Sequence, residues 1–192
     1  MTTFTQDWFS HNIPGLESIV KLLPSNKDIL EIGSFEGRST CWLLENVLAD
    51  DGTIYCIDTF SGSEEHKEMG LNFSGVKDRF KANTEEVKKP NQSIGIMDMP
   101  SHIGISKLMS DERIFDLVYV DGSHMAPDVM SDACMAFHLL ETKGIMVFDD
   151  YLWKMEQNML HTPKVAVDMF TTLFKERAQI VMIGYQVAIQ KV

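Results

Sequence analysis

The residues best equipped for chemistry in this chain sit at the ends of two apolar runs. Val120-Asp121-Gly122-Ser123-His124 closes the run Phe115–Val120, and Phe148-Asp149-Asp150-Tyr151 closes Ile145–Phe148. Three carboxylates, Asp121, Asp149 and Asp150, delivered by neighbouring strand ends would form an anionic, all-oxygen cluster. Anions that close repel one another unless protonated or joined by a cation. Hard oxygen donors favour Mg²⁺, with Mn²⁺ or Ca²⁺ as alternatives; in the plainer reading Asp149 and Asp150 only cap the segment that follows. His124, three residues past Asp121, carries an imidazole whose unperturbed pKa of about 6.5 lets it take a proton at neutral pH. Ligation of the metal, or a backbone bond at a helix start, are the other roles open to it. The remaining histidines read as structural or solvated: His138 within a helix, and His11, His66, His102 and His161 on polar surface segments. Tyr151, Trp153 and the stretch to His161 are candidate substrate contacts or core.

A second stretch bears on a cofactor. Ile29 to Thr40 reads I-L-E-I-G-S-F-E-G-R-S-T, a strand, a tight glycine turn and a helix start. The dinucleotide fingerprint G-x-G-x-x-G lacks its middle glycine here, and a P-loop falls one residue short with Arg38 in place of lysine. That disfavours a nicotinamide-dependent oxidoreductase. Gly33, without a Cβ, permits close backbone approach, and Glu31 suits an ammonium or sulfonium charge. Asp58 ends the second strand, about 20 residues on, where an acid holds ribose hydroxyls in nucleotide-binding βαβ units. Ser34, Gly37, Ser39, Thr40 and Thr59 complete the candidate cofactor set.

The spacing E-x-G-x-x-x-G resembles the first motif of the class I S-adenosylmethionine-dependent methyltransferases. With V-D-G-S-H and F-D-D-Y added, the chain from about Ile29 to Tyr151 resembles the branch of macrocin-type O-methyltransferases and cephalosporin hydroxylase-like proteins, and more distantly catechol O-methyltransferase. That resemblance implies S-adenosylmethionine as cofactor and one divalent cation held by Asp121, Asp149 and Asp150. Asp150 departs from relatives that carry a neutral amide there. The resemblance also implies His124 as general base with Asp121 beside it at both cofactor and metal. The turn Asp98–Ser101 would face adenine, with Asp98 or Ser101 at the amino group and Met99 on the ring.

These residues need a frame that brings strand ends together. Apolar runs at Ile29–Ile32, Thr53–Ile57, Ser93–Met97, Phe115–Val120 and Ile145–Phe148 alternate with helical patterns at Ser39–Ala49, Phe73–Val87, His102–Met109, Pro127–Glu141 and Pro163–Glu176. Gln179–Ile183 and Gln186–Lys191 flank Gly184-Tyr185 as a β-hairpin. The implied architecture is α/β: a Rossmann-like methyltransferase sandwich whose seven-stranded sheet is mostly parallel with an antiparallel last strand, and helices on both faces. Residues 1–27 form an N-terminal helical segment, with a helix at Gly15–Leu23. Residues 28–192 form the cofactor-binding domain, and Ser61–Asn72 reads as a mobile loop.

With 17 basic and 28 acidic residues among 192, the net charge of -11 disfavours nucleic acid or an anionic membrane as partner. No apolar run approaches the roughly 20 residues of a transmembrane helix, and the first ten residues lack a signal peptide's basic start, so a cytoplasmic location is expected. Cys41, Cys56 and Cys134 lie apart in apolar stretches and read as buried filler. The expected activity is metal-dependent O-methylation of a small-molecule hydroxyl. A metal-independent methyltransferase or a non-catalytic cofactor binder are the alternatives, and a homo-oligomer stays open.

Overall fold

The structure, a computed structural model, describes residues 1–63, 66, 70, 72–153 and 158–192. Its strands are β1 Asp28–Ile32, β2 Thr53–Asp58, β3 Ser93–Asp98, β4 Phe115–Val120, β5 Leu140–Phe148, β6 Ala178–Ile183 and β7 Val187–Lys191. They form one seven-stranded sheet in the order β3-β2-β1-β4-β5-β7-β6. The first five pair in parallel, and β7 runs antiparallel between β5 and β6. Strand order reverses between β1 and β4, and beyond the carboxyl ends at such a switch point an open α/β sheet leaves a crevice.

Strand side chains alternate between two helical layers. Leu30, Ile32, Val118, Val120 and Phe148 face a layer made by α4 Ser101–Ser110, α5 Ala126–Leu139 and α6 Pro163–Leu173. Ile29, Leu117, Tyr119 and Val147 face α1 Ile13–Ile19, α2 Arg38–Asn46 and α3 Val76–Val87. Burying each large apolar side chain contributes about 1.5–3 kcal/mol, and β4, buried at all of its positions, is the centre of both layers. Two cysteines are buried as expected; Cys134 is half-buried.

Element ends differ from the sequence pattern in places. Helix α1 starts at Ile13, with Pro14 in its first turn, and passes into a 3-10 turn at Val20–Leu22. Strand β5 starts at Leu140 rather than Ile145, and α6 stops at Leu173 rather than Glu176. The Ser61–Asn72 loop falls in part outside the described residues. Among the described residues no helix is long and apolar enough to cross a membrane.

The first twelve residues form a strap. Thr3 and Asn83 exchange hydrogen bonds at 2.7 and 2.8 Å, and the Thr5 amide and hydroxyl both donate to the buried Glu36 at 2.6 and 2.8 Å. Asn12 donates to both carboxylate oxygens of Asp149, at 3.0 and 2.9 Å. The strap is thereby tied at one end to α3 and at the other to the end of β5.

Candidate active site

A cleft of about 1010 Å³ lies at the carboxyl ends of the parallel strands, beneath the strap. Gly33, Ser34, Ser39, Asp58 and Thr59 line one part of it, and Asp121, His124, Asp149 and Asp150 another.

The turn after β1 is closed upon itself. Gly33 has φ +86°, and a Cβ there would stand 2.0 Å from the Asp121 carbonyl oxygen. Glycine is therefore required where the β1 and β4 turns abut, and Gly33 also lines the cleft. Glu31 does not reach the cleft. The strand's alternation sends it into the α2 layer, fully buried, where it accepts hydroxyl hydrogen bonds from Ser34, Ser39 and Thr40 at 2.5, 2.6 and 2.5 Å. Burial pushes its carboxyl up, and those hydroxyls offset part of the rise. Gly37 (φ +82°) precedes α2 and, like Thr40, stays out of the cleft. Asp58 lines the cleft and also holds the turn: the amides of Ser34, Phe35 and Phe60 donate to it at 2.7, 2.8 and 2.6 Å. Asp98 lies outside the cleft, on the edge strand, with Lys77 Nζ 2.6 Å from its carboxylate. Its neighbours Met99 and Ser101 do line the cleft.

At the other end charge is poorly compensated. Asp121 is held well above the usual carboxylate range, by burial first and then by the charges of Asp149 and Asp150. Asp149 is pushed up to about 6 by burial and by Asp150. Its oxygens are occupied by Asn12, by the Tyr119 hydroxyl and by the Asp150 amide. Gln186 Nε2 in turn donates to Tyr119 Oη at 2.8 Å. Asp150 adopts φ +53°, a left-handed geometry that aspartate tolerates better than most residues. Its carboxylate lies 2.8 Å from His124 Nε2. Burial opposes ionisation of Asp150, but the hydrogen bond and charge of His124 outweigh it and hold the carboxyl below its ordinary value. Ligand atoms of Asp121, His124 and Asp150 all lie within 4.8 Å of one another. The three acids expected as a metal set are thus neighbours, but the compact group contains His124 in place of Asp149.

The strand order places these acids at the open end of the sheet, and the comparison with protein families decides the class. Residues 30–151, well over half of the chain, match a methyltransferase domain. The chain belongs to that methyltransferase family. In fold the methyltransferase is similar to the O-methyltransferase NovP, with 18% identity, a TM-score of 0.65, and coverage of 94% of this chain and 80% of that one. It is similar also to the O-methyltransferase from Bacillus cereus in complex with SAH: 15% identity, TM-score 0.63, 98% and 84% coverage. The mycinamycin-pathway methyltransferase MycE, solved with Mg and SAH, aligns at 14% identity and TM-score 0.63 over 97% of this chain and 51% of its own. No curated protein matches the sequence.

Further side chains line or support the cleft. His11 and His102 are exposed, as expected, and with the half-buried His66 and His161 they line the cleft. Trp153 packs its ring 4.3 Å from that of His124, and Trp8 stacks on Phe35 at 5.1 Å within the strap's contact to the turn. Asn12, Tyr119 and Gln186 hold Asp149. Tyr119 left a trace, as a polar-tipped side chain two positions before Asp121 in a strand whose other polar residue is Asp116.

Proposed function

We propose that the protein is an S-adenosylmethionine-dependent O-methyltransferase of small-molecule hydroxyls that works with a divalent cation. The observation that carries this reading is the cleft's polarity: a family-typical turn with Asp58 at one end and a buried, mutually repelling acid group at the other. The donor chemistry suits both guests. A cationic sulfonium and ammonium fit an acidic cleft, and Asp121 and Asp150 supply the hard oxygens that a cation such as Mg²⁺ prefers. When bound, the cofactor offers an electrophilic methyl and the cation lowers the pKa of a coordinated hydroxyl.

The chain's own residues do the rest. Asp58 holds the turn and presents its remaining acceptor capacity to ribose hydroxyls. His124 takes the hydroxyl proton, and Asp150, bonded to Nε2, fixes the ring and stabilises the imidazolium that forms, as a carboxylate does behind a general base. Asp149 fixes the end of β5 from behind, and the strap with Trp153 restricts water. Isothermal calorimetry is expected to detect S-adenosylhomocysteine binding, and methyl transfer to hydroxyl acceptors is expected to stop on chelation. Transfer that survives exhaustive chelation would sink the cation's role.

A second reading makes His124 a ligand, favoured by its grouping with Asp121 and Asp150. His124→Gln separates the two. As base, its loss lowers kcat by about 10²–10⁴-fold with cation affinity kept; as ligand, its loss weakens cation binding in the absence of acceptor.

A further inference from the structure

The two edges of the sheet are finished differently. At the β3 edge, Lys77 Nζ lies 2.6 Å from the Asp98 carboxylate, and Lys81 and Lys88 line an open groove with Ser93, Ile94 and Ile96. Lysines beside an edge strand keep it from pairing with another chain. At the β6 edge, the run Ala178-Gln179-Ile180-Val181-Met182-Ile183 holds neither a charge nor a proline. Among the described residues β7 alone pairs with it.

A bulge often blunts such an edge; this one instead adds an apolar strip to it. Val181 is left out of the ladder, in which Ile180 opposes Ile189, Met182 opposes Ala188 and Ile183 opposes Val187. Directly opposed residues share a face of an antiparallel pair, so the extra residue brings Ile180 and Ile183, three positions apart, to one side. That side is packed by α6, because Val187 and Ile189 share a core cluster with Phe170. Helix α6 contacts β6, and on it Met169 and Leu173 stand one turn apart. Met169, Leu173, Ile180 and Ile183 are 51, 67, 47 and 68% exposed. Four large apolar side chains thus border an unpaired strand edge. Together they present about 400 Å² of apolar surface, a size that on a monomer is often functional.

We propose that the β6 edge is the interface of a twofold homodimer, in which β6 pairs antiparallel with β6 of a second copy and the four apolar side chains close over the seam. An antiparallel edge is complementary to itself about a twofold axis, as an isologous contact requires. Charge also selects a second copy. Each copy carries a net charge of -11, so two copies repel except where charge is absent, and β6 is such a place. Two strips and two strand edges bury roughly 1,200 Å², the low end of specific interfaces.

Sedimentation equilibrium of the whole chain at micromolar concentration is expected to show a dimer that tightens as NaCl is raised, because salt screens the repulsion between acidic copies. Ile183→Lys, at a position already exposed in the single chain, is expected to weaken the dimer about 100-fold or more, since twofold symmetry places the substitution in the seam twice. Leu173→Lys serves should that variant fail to fold. Ile103→Lys, at an exposed isoleucine on α4, is expected to leave the dimer intact. A wild-type chain that stays monomeric, or a dimer that dissociates with added salt, overturns the proposal. So does a dimer unmoved by a folded seam variant, or one weakened equally by Ile103→Lys.

Discussion

At the β1 end of the cleft, the buried carboxylate of Glu31 gathers three hydroxyl donors and Asp58 gathers three amides, so nearly every polar atom of the turn is satisfied within the protein. At the β4–β5 end, Asp121, Asp149 and Asp150 raise one another's cost of ionisation, and His124 neutralises only the last of them. One end is satisfied within the folded chain; the other holds acids whose ionisation burial and neighbouring charge oppose, and on the proposed reading a guest cation supplies the compensation. The difference teaches that shape and charge complementarity are separable here. The turn can be rigid before any ligand arrives, whereas the acid group, on the proposed reading, trades stability for cation affinity.

The largest test of that contrast is Asp121→Asn. Methyl transfer is expected to fall by about 10³-fold or more, since several kcal/mol of transition-state stabilisation go with the charge. Yet the metal-free melting temperature at pH 8 is expected to rise, because a buried acid held above its ordinary range is destabilising once ionised. A fall in both quantities would break the contrast and make Asp121 a structural acid.

Gly33→Ala addresses the contact between the two ends. A Cβ 2.0 Å from the Asp121 carbonyl oxygen, on a backbone at φ +86°, is expected to cost roughly 3 kcal/mol in urea denaturation. Because the displaced atom belongs to Asp121, the thermal upshift produced by Mg²⁺ should shrink as well. An unchanged upshift would mean that the ends are mechanically independent.

The smallest effect lies in pH. Burial and the Asp150 charge push the Asp149 carboxyl up to about 6, against roughly 3.9 for an unconstrained aspartate, so the folded chain holds its proton more tightly. The stability from this group is present below about pH 4 and is lost as pH rises through 6. Thermal melts of metal-free wild-type protein and Asp149→Asn across that window should show a downward slope that the variant lacks in part. Parallel curves would assign the slope elsewhere.

Much of this was legible in the residues. The central runs such as Phe115–Val120 carried their strands because a buried parallel strand is continuously apolar, and the acids that follow them mark the cleft. β5 was read five residues short because Glu141, Thr142 and Lys143 are exposed where they extend the strand, and exposed polar residues carry no burial signal. Glu31 was misdirected for a related reason: an acid at a strand end says nothing of which layer it faces until the pleat is fixed. That the histidines converge on the cleft, and that Asn12 reaches Asp149, was illegible because they come from segments whose return path depends on tertiary contacts rather than on local periodicity.

The bond from Asn12 to Asp149 joins residues 137 positions apart. It ties the opening dozen residues to the cleft: trimming them would strip two donor hydrogen bonds from the buried carboxylate at the end of β5. Cleavage near the start of the chain is then expected to read out as an active-site lesion, although no residue that handles methyl, proton or cation has been cut.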